Sequence, residues 1–262
     1  MDQPKHIITP IKTHNAVKCR DALSTVMVMI FLWQLLVWLT QAPHYILPGP
    51  LSVLNALVEN RELIAGHAKV TILEVIIGLI LGALLGAATA LFCMISKRIE
   101  RFLMPLLVLS QTIPVFALAP LLTLWFGYGL SSKIAMALLI IYFPVTSTFY
   151  DGLRNTPQGW LDIARSMRAT KYRLLFFVRV PAAIPALASG IRLATVYAPI
   201  GAVIGEWLGA SEGLGYLMLL ANGRVKIDLM FAALITLCVF TLLLRAVIGI
   251  ACRRLESLFS LN

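Results

Sequence analysis

Few residues in this chain could do chemistry, and they do not gather. His6, His14, His44 and His67 all lie outside the apolar runs, so no His-rich, Ser/Lys or Asp/Asp constellation is placed for intramembrane catalysis. Cys19, Cys93, Cys238 and Cys252 are scattered without CxxC or nearby His spacing, which argues against a metal site or disulfide framework. Cys93 and Cys238 read instead as small apolar packing residues. No GxxxxGK[ST] phosphate loop occurs, so the chain has no nucleotide cradle of its own. No catalytic, metal or cofactor group is expected, and an enzyme is disfavoured.

Charge is concentrated in one stretch. WLDIARSMRATKYRLLFFVRVP, residues 160–181, carries five cations and one acid in a chain that is 60% hydrophobic and 13% charged. Its surroundings explain part of this. Mean hydropathy is +0.88, and apolar runs of about 20 residues recur, the length that crosses a hydrocarbon core of about 30 Å. An all-α integral membrane protein follows, since a β-barrel would show weak alternating segments instead. Six candidate helices fall near 22–41, 70–95, 103–126, 132–150, 182–204 and 229–251. The polar N-terminal stretch does not read as a cleavable signal peptide. The division expected is an N-terminal segment 1–21, one membrane domain 22–255 and a tail 256–262.

The net charge of +10 and pI near 9.8 would suggest nucleic acid in a soluble protein. Here the basic residues fall mostly between apolar runs, where they set topology and meet lipid headgroups, and no nucleic-acid partner is expected. Four of the polar segments (the N-terminus, the loop after the second run, the 151–181 loop and the tail) together hold fifteen Lys and Arg. The opposite side holds five. The positive-inside rule places both termini and the 151–181 loop in the cytoplasm of a multi-pass membrane protein.

Within the runs, Pro105, Pro114 and Pro120 are expected to kink the third span. Gly78, Gly82 and Gly86 repeat every four residues on one face of the second, a ladder suited to close helix packing within the chain rather than at a dimer seam. Outside them, Pro48–Pro50 precedes Leu51, Leu54, Leu57 and Val58, whose spacing fits a short amphipathic helix lying on the membrane or on the bundle. Residues 205–228 read as a re-entrant or surface-lying segment at the outer mouth. No internal repeat supports an inverted-repeat transporter.

The loop itself reads as two short helices parallel to the membrane. The first sets Leu161, Ile163, Ala164 and Met167 along one side, a break follows near Ala169–Thr170, and Tyr172–Val178 runs into Pro181. An ordinary topogenic loop would carry the same charge, but not the same spacing. Residues 162–181 resemble the signature loop of ABC importer permeases: EAA, three residues, G, nine residues, I, any residue, L, P. Asp162, Ile163 and Ala164 stand at the EAA positions, Arg168 at the glycine, and Val178, Arg179, Val180 and Pro181 at the ending. Arg at that glycine costs roughly 1 kcal/mol or more in a left-handed conformation, so the turn is expected to be reshaped or displaced to Ala169–Thr170.

QTIPVFALAPLLTLWFGYG (111–129), PAAIPALASGIRLA (181–194) and EGLGYLM (212–218) extend the resemblance to the branch containing sulfonate, taurine, nitrate and thiamine-precursor importer permeases, over roughly 45–255. The resemblance implies a six-helix permease, working as a homodimer, with a cytoplasmic coupling loop between helices 4 and 5. It implies ABC ATPase subunits that bind ATP and Mg, and an external or periplasmic solute-binding protein. On that reading Leu161, Ala164 and Met167 enter a groove on the ATPase while Asp162 and the basic rim fix orientation.

Charges at membrane depth are the usual pointers to a pathway. Glu74, Glu206 and Arg245 read as snorkelling or internally paired, and Arg192 either reaches headgroups or joins a gating or packing pair within the dimer. Gln111, Thr112, Pro114, Thr123, Trp125, Arg192, Thr195, Tyr197 and Pro199 are the candidate translocation path, on kinked spans three and five. Their low charge favours a neutral heteroaromatic solute such as a thiamine-precursor pyrimidine. Sulfonate, taurine or nitrate import is the alternative, and a stand-alone channel or secondary transporter is a different class.

Overall fold

The structure is a computed structural model and describes residues 12–259. The expected N-terminal segment is thus described only from Lys12 and the tail only to Phe259; the rest of both lies outside the described residues. Every regular element among them is helical. In order they are α1 (Lys12–Thr40), α2 (Pro50–Glu59), α3 (Arg61–Ile95), α4 (Lys97–Thr112), α5 (Val115–Phe126) and α6 (Leu130–Arg154). Then come α7 (Gln158–Ser166), α8 (Lys171–Leu174), a π-turn (Leu175–Arg179), α9 (Val180–Gly209), α10 (Leu214–Gly223) and α11 (Ile227–Phe259).

Among the described residues, four helical segments are long and apolar enough to cross a membrane: Arg61–Ile95, Leu130–Arg154, Lys171–Gly209 and Ile227–Phe259. α4 and α5 make a fifth if they count as one span, and they are bent by 104°. α1 contributes a further apolar stretch, Ser24–Thr40. The expected third span is therefore an elbow. Ile113 is extended before Pro114, as a residue preceding proline prefers, and Pro114 leads α5 away. Pro105 and Pro120 stand inside their helices, so the break falls at Pro114 alone.

α6 is the central helix, packed most extensively against α9 and α3. Small residues permit this on both sides. A Cβ added at Gly78 would stand 2.7 Å from Ala137 Cβ, and one at Gly82 would stand 2.6 Å from Ile141 Cγ2. From α9, a Cβ at Gly201 would meet the Ala137 backbone at 2.8 Å. The glycine ladder is thus spent on packing within the chain. Val75, Leu79, Ala137, Ile141, Val145, Ala194, Ala198 and Ala202 fill the seam.

α2 is amphipathic and lies on the bundle. Val53 and Ala56 are buried in the cluster that holds Leu229, Ala232 and Ala233 of α11, and Leu57 packs against it, while Leu51, Leu54 and Val58 are exposed. Cys93 and Cys252 are buried; Cys238 lies exposed on α11.

The end of the bundle away from α7 is fastened by buried charge. Glu74 and Lys133 form an ion pair at 2.7 Å, with side chains 0% and 8% exposed. Glu206, equally buried, accepts from Thr71 Oγ1 at 2.6 Å and from the backbone N–H of Gly215. Thr71 Oγ1 accepts in turn from Leu214 N, and His67 Nδ1 from Gly213 N. The first N–H groups of a helix have no partner within it. Here α3 and α9 supply those partners to α10, with a carboxylate at its positive end. Gly213 is obligatory there: its φ is 116°, and any Cβ would run into the Glu206 carboxyl. Glu74 and Glu206 are therefore internally paired. The partner of Glu74 was counted from the sequence as an outer-loop cation.

Two outcomes test this packing. Gly82→Ala should destabilise the protein by about 1–3 kcal/mol through overpacking against Ile141, and Ile141→Ala should relieve part of that loss in the double variant. Lys133→Met leaves Glu74 as an unpaired buried charge and should cost about 3–5 kcal/mol, most of it recovered by adding Glu74→Gln. Thermal unfolding of the detergent-solubilised variants measures both.

Candidate functional site

The basic stretch folds as one helix and the start of another. α7 is followed by Arg168 at φ 56°, then Thr170 caps α8 by accepting from Arg173 N at 3.4 Å. Arg168 N donates to Arg165 O at 2.8 Å, and Ala169 N to Ala164 O at 3.0 Å. This pair of bonds closes a helix through a left-handed residue, normally glycine. The turn therefore keeps its position and shape at Arg168, and the expected shift to Ala169–Thr170 does not occur. The second expected short helix is not separate either. Lys171–Gly209 is one continuous helical segment, interrupted only by the π-turn just before Val180 and Pro181. An inserted π-turn loosens the backbone ladder, and Pro181 lacks the N–H that a regular ladder would use.

Leu161, expected on the docking face, is instead fully buried and anchors α7 to the bundle. The exposed apolar face belongs to Trp160 (44% exposed), Ile163 (65%) and Met167 (78%). Together with Ala164, Phe177, Val178, Pro181 and Phe259 they line an apolar groove of about 520 Å³. Val180 is half-buried, and Asp162 is held by Arg165 at 2.8 Å on the same exposed helix. Trp160, Phe177 and Phe259 escaped the sequence reading. Trp160 stands i,i+3 from Ile163, a spacing that signals a shared face.

The candidate path residues separate. Gln111 and Tyr197 meet in a cleft of about 390 Å³ at the α4–α5 elbow, walled by α6 and α9. Ser110, Ser147 and Thr148 add hydroxyls that the sequence reading did not select. Thr112 and Pro114 are exposed at the elbow, with Thr112 bonded to Leu109 O. Thr123 and Thr195 are buried and return their hydroxyls to Ala119 O and Ile191 O, so neither faces the cleft. Trp125 is 70% exposed near the end of α5, and Pro199 is buried in α9. Arg192 Nη2 donates to Glu256 Oε1 at 2.7 Å, tying α9 to the end of α11 within the same chain. Arg245 is exposed on α11. Among the described residues, no group of His, Cys, Asp or Glu is placed to hold a metal ion. The arrangement offers an exposed apolar face, a joint with an imperfect backbone ladder and a weakly polar cleft.

Residues 74–257 match the family model described as the binding-protein-dependent transport system inner membrane component. A probable ABC transporter permease protein of Haemophilus influenzae is 56% identical over 83% of this chain and 89% of its own length. The formylaminopyrimidine transport permease protein ThiX of Halalkalibacterium halodurans is 41% identical, over 72% and 77%. Among solved structures, an inward-facing MetNI methionine ABC transporter chain aligns with TM-score 0.64 at 18% identity, covering 74% of this chain and 95% of that one. With most of its length matched, an all-helical fold shared with such transporters and its nucleotide hydrolysis left to separate ATPase subunits, the chain belongs to the binding-protein-dependent transport family as a membrane-embedded ABC importer permease.

Proposed function

We propose that two copies of this permease form the pore of a bacterial inner-membrane importer of small heteroaromatic solutes of the thiamine-precursor pyrimidine class. Both termini and the 151–181 loop face the cytoplasm, and the elbow completes a six-span topology. An external solute-binding protein delivers the cargo. Partner ATPase subunits bind ATP and Mg and dock on α7.

The observation that carries the docking role is the exposed face of Trp160, Ile163 and Met167 on a helix anchored by Leu161. Full burial of one such side chain contributes about 1.5–3 kcal/mol, so a groove on the ATPase gains substantially by covering the face. Movement of α7 reaches α9 through the Arg168 turn and the π-turn, and α9 carries Tyr197 at the elbow cleft. Support for the cargo is twofold. The formylaminopyrimidine permease is similar over most of both chains, and the cleft lining has hydroxyl, amide and aromatic groups without a cation. A sulfonate cargo remains the second reading, because an aliphatic sulfonates permease protein of Bacillus subtilis is 33% identical.

Ile163→Glu with Met167→Glu should lower ATPase co-purification at least about tenfold and abolish ATP-driven uptake; unchanged co-purification would refute docking through this face. Arg168→Gly should raise thermal stability by about 1 kcal/mol while uptake persists, because glycine removes the left-handed strain. For the cargo, uptake by cells carrying the whole importer should favour labelled formylaminopyrimidine over taurine and alkanesulfonates. The reverse preference establishes the sulfonate reading.

A further inference from the structure

A second cavity lies behind the docking helix, on the side of α7 away from the apolar groove. It measures about 610 Å³ and is bounded by the end of α3, the first turn of α4, the end of α6 and the α7–α8 turn. Five cations line it: Lys97, Arg154, Arg165, Lys171 and Arg179. Glu100 is the single lining acid, and it already accepts the Tyr150 hydroxyl at 2.5 Å.

The cations are not neutralised from within. Arg179 donates to Leu153 O at 2.8 Å and Lys171 to Ile95 O, which are uncharged carbonyls. Arg165 pairs with Asp162, itself exposed to solvent, and lies close enough to Arg179 to repel it electrostatically. Lys97 and Arg154 make no ion pair among the described residues. Like charges gathered around a cavity destabilise one another unless an anion joins them. The apolar part of the wall, Met94, Ile95, Leu174 and Leu175, comes from membrane-spanning helices where they leave the bilayer.

We infer that this cavity is a binding site for a phosphate group of net negative charge, with an anionic phospholipid headgroup and free phosphate as its two possible sources. Lys97 and Arg154 are its free cations, and the ligand braces the α7–α8 turn against α3, α4 and α6. Basic pockets between membrane helices at the cytoplasmic face suit such headgroups, whereas a zwitterionic headgroup brings no net charge to offset the cluster. The placement at that face rests on the orientation proposed above. The binding itself does not depend on cargo or ATPase.

The test uses the full-length chain purified in detergent. Native mass spectrometry after equilibration with equimolar phosphatidylglycerol and phosphatidylcholine should show preferential retention of phosphatidylglycerol. Lys97→Gln with Arg154→Gln should reduce that retention roughly tenfold or more, at about a tenfold change per 1.4 kcal/mol and about 1 kcal/mol per cation. Lys97→Arg with Arg154→Lys should retain it, and Arg253→Gln with Arg254→Gln should leave it unchanged. Matching thermal transitions show that each variant is folded. A parallel titration of lipid-free protein with inorganic phosphate separates the sources. Binding of phosphate with the same dependence on Lys97 and Arg154 assigns a free phosphate ligand, and retention of phosphatidylglycerol alone assigns the headgroup. If neither probe binds, or if the charge-neutral double variant retains phosphatidylglycerol as the parent does, the inference is overturned.

Discussion

The distance between α6 and its two neighbours governs the rest of the molecule. Ala137 faces Gly78 on one side and Gly201 on the other at separations that leave no room for a methyl group. Helices that close gain dispersion contacts along their whole length, which matters in a bilayer because lipid tails remove the hydrophobic drive for helix association. The close approach fixes where α3 presents Thr71 and Glu74, and where α9 presents Glu206. Those residues in turn hold the start of α10. At the other end, the same three-helix slab sets the end of α6 against the π-turn, with Arg179 bonded to Leu153 O. The buried-charge latch and the joint are therefore opposite ends of one closely packed three-helix slab.

The two ends are built differently. The latch is buried polar chemistry, where every lost partner exposes an uncompensated charge, so it resists partial opening. The joint is a left-handed arginine, a four-residue helix and a π-turn, all with imperfect backbone ladders. A conformational change that enters through α7 meets less resistance near the joint than at the latch. This fits an arrangement in which the end carrying α7 moves and the latched end guides.

Much of the fold was legible because membrane helices announce themselves by length and apolarity, and because Gly78, Gly82 and Gly86 repeat at a helical interval. The loop spacing around Asp162–Ala164 and Pro181 carried the family. What stayed hidden depends on packing partners far away in sequence. Nothing local distinguishes Lys133, buried beside Glu74, from a topogenic lysine. For α2, periodicity shows a stripe without saying which side is core: Leu57 packs on the bundle while Leu51 and Leu54 stay exposed, and in a bilayer an exposed leucine is as well solvated as a buried one. Leu161 and Met167 are apolar alike, yet one anchors and the other projects. Thr195 and Tyr197, two residues apart on α9, differ likewise: one is buried and bonded to its own helix, the other lines the cleft.

The π-turn at Leu175–Arg179 has a geometric consequence for the whole coupling element. A π-turn accommodates one residue more than the same rise of α-helix would hold. Removing a single residue there would restore regular winding and leave Ile163 and Met167 facing much as they do now, because the wide turn already absorbs the extra residue. A residue removed from the regular part of α9 would instead turn every side chain upstream by about 100°. The π-turn is thus slack in the winding, a place where the chain can gain or lose one residue while the exposed face of α7 keeps its angle.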